Sequence, residues 1–291
     1  MNQTQVCTPN NLNELAAALH LATPKSKVLA GGTDLIISLN ERRIDPDLII
    51  DLSGVRELSF IKQENDFIRI GAMTTFTEIK ENGFINQYFP CLRDAAAQVG
   101  SNQIRNRATL GGNIGNASPA GDSLPVLAML NASVSVMDTL GNIKDYTIDE
   151  IIQGPRKTNF HYNEAIVTIK IPLPQPSFRS AFVKLGSRTA VTIAMINVAM
   201  GIIFDEKMKR INDASIVMGA ISSKVLRLPE IEKIFINRPL DHSLRKEFCQ
   251  KLSQLIEKTS PVEFEMVYKK DAVKGVALDL LQKLLPEIYC Q

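Results

Sequence analysis

The stretch Thr109-Leu110-Gly111-Gly112-Asn113-Ile114-Gly115-Asn116-Ala117-Ser118-Pro119-Ala120-Gly121-Asp122 constrains this chain more than any other segment. Between Ile114 and Leu124 it carries no large apolar side chain, so it is a poor candidate for core, yet residues 92–99 and 124–130 on either side read as helices. Its glycines allow a backbone to wrap tightly around a ligand. Thr109, Asn113 and Ser118 offer donors to phosphate oxygens. A carboxylate suits a diol better than a phosphate, so Asp122 is placed to accept from ribose hydroxyls. Asp122 is equally placed to cap the following helix, with Pro125 in the first turn.

A second glycine loop lies upstream, Val28-Leu29-Ala30-Gly31-Gly32-Thr33-Asp34-Leu35. Adjacent glycines reach positive φ at little steric cost. Successive N–H groups in such a turn form a concave nest suited to a pyrophosphate. Taken alone, the loop reads first as a tight strand-to-helix turn capped by Thr33, because turns of this composition are common. It is not the dinucleotide fingerprint of a Rossmann fold, because Gly31-Gly32 lacks a third glycine at the required spacing. Two loops of this kind in one chain point to a large phosphate-containing ligand.

At 291 residues the chain should hold two or three domains. Hydrophobic residues at 45% and charged residues at 22% are ordinary for a globular protein. The net charge of +2 is spread without any block longer than Arg42-Arg43 or Lys269-Lys270, which speaks against nucleic acid or a membrane surface as partner. There is no apolar run of the roughly 20 residues that a membrane span needs. The polar start Met1-Asn2-Gln3-Thr4-Gln5 is unlike a signal peptide, so a cytoplasmic protein is expected.

Cys7, Cys91, Cys249 and Cys290 are isolated from one another, whereas zinc and iron–sulfur sites need clustered thiolates. No metal is therefore expected within this chain, and the cysteines read as buried or incidental thiols. His20, His161 and His242 are equally scattered. No side chain stands out as acid, base or nucleophile, so any chemistry should belong to a cofactor.

Pro9-Asn10-Asn11 followed by Leu12, Leu15, Ala16 and Leu19 predicts a capped amphipathic helix. A short buried strand at 27–30, a helix at 35–39 capped by Thr33-Asp34 and a strand at 48–52 complete a small unit over about 1–55. A second region contains strands at 67–70, 133–137 and 165–171, a helix from near Thr75, and a turn at 139–142. Pro172-Leu173-Pro174-Gln175-Pro176 opposes helix and central strand alike, which sets a domain boundary there, with domains 1–176 and 177–291. Beyond it come strands at 193–204 and 214–220 and helices at 229–235, 242–258 and 268–285.

Ala30-Gly31-Gly32-Thr33-Asp34-Leu35, Gln103-Ile104-Arg105-Asn106 and Thr109-Leu110-Gly111-Gly112-Asn113-Ile114 together resemble the FAD subunit of bacterial molybdenum hydroxylases, which include xanthine, nicotinate and carbon monoxide dehydrogenases. The likeness covers nearly the whole chain. It implies an α+β protein with a two-subdomain FAD-binding fold resembling vanillyl-alcohol oxidase (subdomains about 1–55 and 56–176, FAD between them), followed by a C-terminal α/β domain. Carried over by residue, it implies that Leu29, Ala30, Gly31, Gly32, Thr33, Asp34 and Leu35, with Thr109, Leu110, Gly111, Gly112 and Asn113, hold the pyrophosphate. Asp122 would hold the ribose, and Val99 and Gly100 would lie near the adenine. Lys157, Ile166 and Lys184 match positions near the isoalloxazine or its diphosphate.

A cation such as Lys184 or Arg188 near the flavin would stabilise its anionic reduced form. Read from position alone, both are solvated strand residues. The resemblance further implies partners: a large subunit with the molybdenum cofactor, where substrate is oxidised, and a small subunit with two 2Fe–2S clusters. Electrons would pass through FAD in this chain and leave as a hydride, usually to NAD(P)+. Gly154-Pro155-Arg156-Lys157-Thr158 resembles a segment of purine-oxidising relatives, which suggests xanthine or a related purine, with nicotinate next. The alternatives are a single-chain FAD-dependent reductase of the same fold, similar to UDP-N-acetylenolpyruvoylglucosamine reductase, and a non-redox scaffold that has lost FAD.

Overall fold

A computed structural model describes residues 4–205, 207–259 and 263–285. Cys290 and the first three residues of the polar start lie outside them. The α+β chain forms two compact units, each assembled from three separated segments. The first comprises Met1–Asn82, Ser101–Ser118 and Asn131–Pro172, and the second Gly83–Gly100, Pro119–Leu130 and Leu173–Gln291.

In the first unit, β1 (Gln5–Cys7), β2 (Lys27–Leu29) and β3 (Leu48–Asp51) form a parallel sheet in the order β1-β3-β2. The helix Leu12–His20 starts where the sequence places it. Asn11 accepts from the Glu14 amide at 2.9 Å, and Leu15, Ala18 and Leu19 pack on Leu48, Ile50 and Leu52. The strand expected to be buried at 27–30 is instead a sheet edge. Lys27 is exposed, and Val28 and Leu29 are only half-buried.

A second sheet of this unit contains β4 (Ile61–Glu64), β5 (Phe67–Gly71), β6 (Ser133–Met137) and β7 (Ile143–Thr147). The short β8 (Ile152–Gly154) and β9 (Lys157–Thr158) form a separate hairpin, and β10 (Ala165–Pro172) runs between β5 and β6 in the order β4-β5-β10-β6-β7. All its pairings are antiparallel, and they bring Ile70, Ile169 and Val134 into one row of the core face. The 139–142 turn joins β6 to β7, with Gly141 at φ +80° and Asp138 accepting from the Leu140 and Asn142 amides.

The second unit is built on an antiparallel sheet of β11 (Phe178–Gly186), β12 (Ala194–Phe204), β13 (Ile211–Gly219) and β14 (Leu226–Arg227), paired in chain order. The helices His242–Thr259 and Glu263–Leu284 bring Phe248, Leu252, Val273 and Leu280 onto it. The helices Pro90–Ala97 and Ser123–Met129 also pack on this sheet. Cover on both faces explains why β12 reads as a nearly unbroken apolar run rather than an alternation. No helix among the described residues is long and apolar enough to cross a membrane.

Candidate functional site

The first glycine loop leaves the edge strand β2 and turns into the helix Leu35–Asn40. Gly32 adopts φ +78°, a conformation that a side chain would strain. A Cβ at Gly31 would stand 1.9 Å from the Arg107 carbonyl oxygen, so only glycine lets these two backbones meet. Neither Thr33 nor Asp34 caps through its side chain, contrary to the sequence expectation. Asp34 occupies the N-cap position without a side-chain cap bond, and Thr33 lies one residue outside it. Among the described residues, the amides of Gly31, Gly32, Thr33 and Asp34 all lack a hydrogen-bond partner. Four successive free N–H groups around a positive-φ glycine make a nest for an anion with several oxygens.

The second glycine stretch is not a loop over its first half. Leu110–Asn116 is a helix with Thr109 as its N-cap, the Thr109 hydroxyl accepting from the Gly112 amide at 3.1 Å. The Leu110 amide donates to Thr74 O at 3.0 Å, Gly111 to Ala72 O at 2.9 Å, and Asn113 to Thr109 O at 2.9 Å. The amides of Leu110, Gly111, Gly112 and Asn113 are thus committed to the protein itself. What this stretch supplies is the absence of Cβ atoms. A Cβ at Gly111 would lie 2.6 Å from the Ala72 Cβ, and one at Gly112 would lie 3.4 Å from the Ala30 Cβ. The two glycine stretches therefore lie side by side within the first unit, one offering donors and the other close packing behind them. Each glycine in a helix interior costs about 1 kcal/mol relative to alanine, so this helix depends on its outside anchors.

In the second unit Asp122 and Lys184 form a buried ion pair. Lys184 Nζ donates to Asp122 Oδ2 at 2.5 Å and to Gln98 O at 3.1 Å, with side chains 4% (Lys184) and 6% (Asp122) exposed. Asn197 Nδ2 donates to Asp122 Oδ1 at 3.1 Å. Asp122 sits at the N-cap of Ser123–Met129 but makes no side-chain cap bond, because both carboxylate oxygens are turned to Lys184 and Asn197. Lys184 is not a solvated strand residue. Burial pushes the Asp122 carboxyl up from its ordinary range, while the Lys184 charge and the hydrogen bonds from Lys184 and Asn197 pull it down. Asn197 is not among the residues expected from sequence; its one signal there is a polar side chain in the middle of an apolar strand.

The remaining expected residues belong to both units. Gly100, at φ +47°, follows a half-buried Val99 in the second unit. Arg188 is exposed, its Nε donating to Val191 O at 2.8 Å. In the first unit Ile166 is buried on β10 and Lys157 is exposed on β9. Arg156, also missed, donates from Nη1 to Asn116 Oδ1 at 3.1 Å. A concavity of about 560 Å³ lined by Leu12, Ala16, His20, Met137 and Leu140 includes none of these residues.

Residues 2–174 match the family described as the FAD binding domain in molybdopterin dehydrogenase. Residues 181–284 match the CO dehydrogenase flavoprotein C-terminal domain. The chain is 30% identical to the nicotinate dehydrogenase FAD-subunit of Eubacterium barkeri, over 99% of this chain and 98% of that one. It is 31% identical to the xanthine dehydrogenase FAD-binding subunit of Escherichia coli O157:H7, over 78% of each. The carbon monoxide dehydrogenase from Hydrogenophaga pseudoflava that lacks the Mo-pyranopterin moiety shares its fold, with a TM-score of 0.88 at 22% identity over 98% of both chains.

Proposed function

The chain belongs to the family of FAD-binding domains of molybdopterin dehydrogenases, and on that footing we propose that it holds FAD by its pyrophosphate in the nest Gly31–Asp34 and carries electrons for a molybdenum hydroxylase. The observation that carries this reading is the run of four unpartnered amides around Gly32. Two phosphates offer enough acceptors to satisfy all four, and a backbone nest binds them without a cation. Leu29, Ala30 and Leu35 flank the nest. Within Thr109–Asn113, Gly112 has no Cβ and lets the chain come close to Ala30. Ile166 and Lys157 belong to the same unit and are proposed for the flavin side of the cofactor.

When bound, FAD supplies the redox centre of this chain. The protein's own part is to grip, orient and shield, and no side chain is needed as acid, base or nucleophile. The proposed partners are a large subunit bearing the molybdenum cofactor and a small subunit bearing 2Fe–2S clusters, with NAD(P)+ as the final acceptor. Relatives named for nicotinate, glyceraldehyde, caffeine and xanthine all resemble this chain over most of its length. Their variety supports a reading in which substrate choice lies on another polypeptide. A nitrogen heterocycle such as xanthine, a related purine or nicotinate is the proposed substrate of the whole enzyme.

The test is an absorption spectrum of the purified full chain, followed by heat release and quantification of nucleotide. Flavin bands and FAD approaching one per chain are expected, with the two partner subunits co-purifying from the native source. A colourless chain that also takes up no added FAD would overturn the proposal.

A further inference from the structure

Resting on the FAD reading above, we propose that Arg156 is a positioning residue for the cofactor site, acting through the helix Leu110–Asn116 rather than on the ligand. Three of this helix's seven residues are glycine, the residue least suited to a helix after proline. Something outside must fix both of its ends. At the start, Thr109, Thr74 and Ala72 do so. At the finish the chain turns through Ala117 at φ +47°, a left-handed conformation unusual for a residue with a Cβ.

The partner at that end is the β8–β9 hairpin. The Arg156 amide donates to Ala117 O at 2.9 Å, and its Nη1 donates to Asn116 Oδ1 at 3.1 Å. Arg156 is itself left-handed, at φ +56°. The two left-handed residues thus meet through one hydrogen bond, and the Arg156 side chain adds a second to Asn116, as happens where surrounding structure over-determines the backbone. A guanidinium at a helix C-terminus also opposes the negative end of the helix dipole. With that end clamped, the helix keeps Gly112 against Ala30, the residue that leads into the free amides of Gly31–Asp34. Nothing in the sequence around Arg156 announces this role, because its partner Asn116 is 40 positions away.

The experiment uses the full chain, stripped of flavin and titrated with FAD, as wild type, Arg156→Ala, Asn116→Ala and the double variant. Each single substitution is expected to loosen FAD roughly threefold to tenfold, the weight of one hydrogen bond. The double variant should be no weaker than the weaker single, because both remove the same contact. Asn116→Asp keeps an acceptor for Arg156 and should bind nearly as wild type. In the flavin-free chain, amides of residues 110–117 should exchange faster in Arg156→Ala than in wild type.

Additive losses in the double variant, with unchanged exchange, would overturn the proposal and make Arg156 a direct phosphate ligand. A loss in Asn116→Asp as large as in Asn116→Ala would count against it in the same way. If even the wild type takes up no FAD, the FAD reading fails, and the exchange measurement still decides whether the clamp exists.

Discussion

Asp122 and Lys184, 62 positions apart, meet at 2.5 Å inside the second unit, and neither has another charged partner among the described contacts. Removing one member of a buried pair strands the other without water. Lys184→Met is therefore expected to cost about 3–5 kcal/mol in denaturant unfolding of the full chain. Combining it with Asp122→Asn should restore much of that loss. Equal losses in the single and double variants would show that the pair contributes through packing alone.

The proposed nest would bind through backbone, so side-chain changes there should separate cleanly. Thr33→Val and Asp34→Asn leave all four amides in place and are expected to retain FAD, with Asp34→Asn equal or tighter because a negative charge near phosphate is gone. Gly31→Ala would drive a Cβ into the Arg107 carbonyl and should abolish measurable flavin binding. Fluorescence titration of the three variants checks this.

Within the helix Leu110–Asn116, one substitution should have opposite signs at two sites. An added Cβ at Gly115 meets nothing closer than Ile166 Cδ1 at 3.9 Å, so Gly115→Ala should stabilise the flavin-free chain by up to about 1 kcal/mol. At Gly111 the same methyl would press on Ala72, and Gly111→Ala should destabilise by about 1–3 kcal/mol. Thr109→Ala should cost about 1 kcal/mol through the lost cap, and Thr109→Ser much less. Thermal unfolding midpoints read all three.

Cys91 is fully buried in the helix Pro90–Ala97, and burial pushes its thiol up from 9.0 to about 12. The native chain should therefore leave Cys91 unalkylated at pH 8, while the half-buried Cys7 reacts first. A raised native pKa means that the unfolded chain loses the proton earlier. This stabilising contribution is thus complete below pH 9 and disappears as the pH rises towards 12. Cys91→Ala should remove that part of the slope, whatever it costs in packing.

The elements legible in the sequence were those whose signals are local. Asn11 and Glu14 lie three residues apart and announce the first helix, and the alternation of Ser133–Met137 announces β6. β1, β4 and β7 passed unread, β7 because its outward residues carry no apolar alternation and β1 because three residues make no pattern. At the candidate site, the glycines of both stretches were visible but their division of labour was not. Whether an amide is free depends on Thr74 and Ala72, and whether a Cβ fits at Gly31 depends on Arg107, all of which approach from elsewhere in the chain. Asp122 showed the same limit, since its partners Lys184 and Asn197 lie far along the sequence.

The segmented second unit has a consequence for how the chain is made. Residues 83–100 and 119–130 leave the ribosome well before the β11–β14 sheet on which they pack. Until residues beyond 173 are synthesised, Leu92, Ala95, Leu124, Val126 and Leu127 lack the β11–β14 sheet on which their helices pack. Release of a chain ending at the proline run would leave those apolar helices bare and prone to aggregate. The linear boundary at residues 172–176 is therefore a poor place to cut the chain.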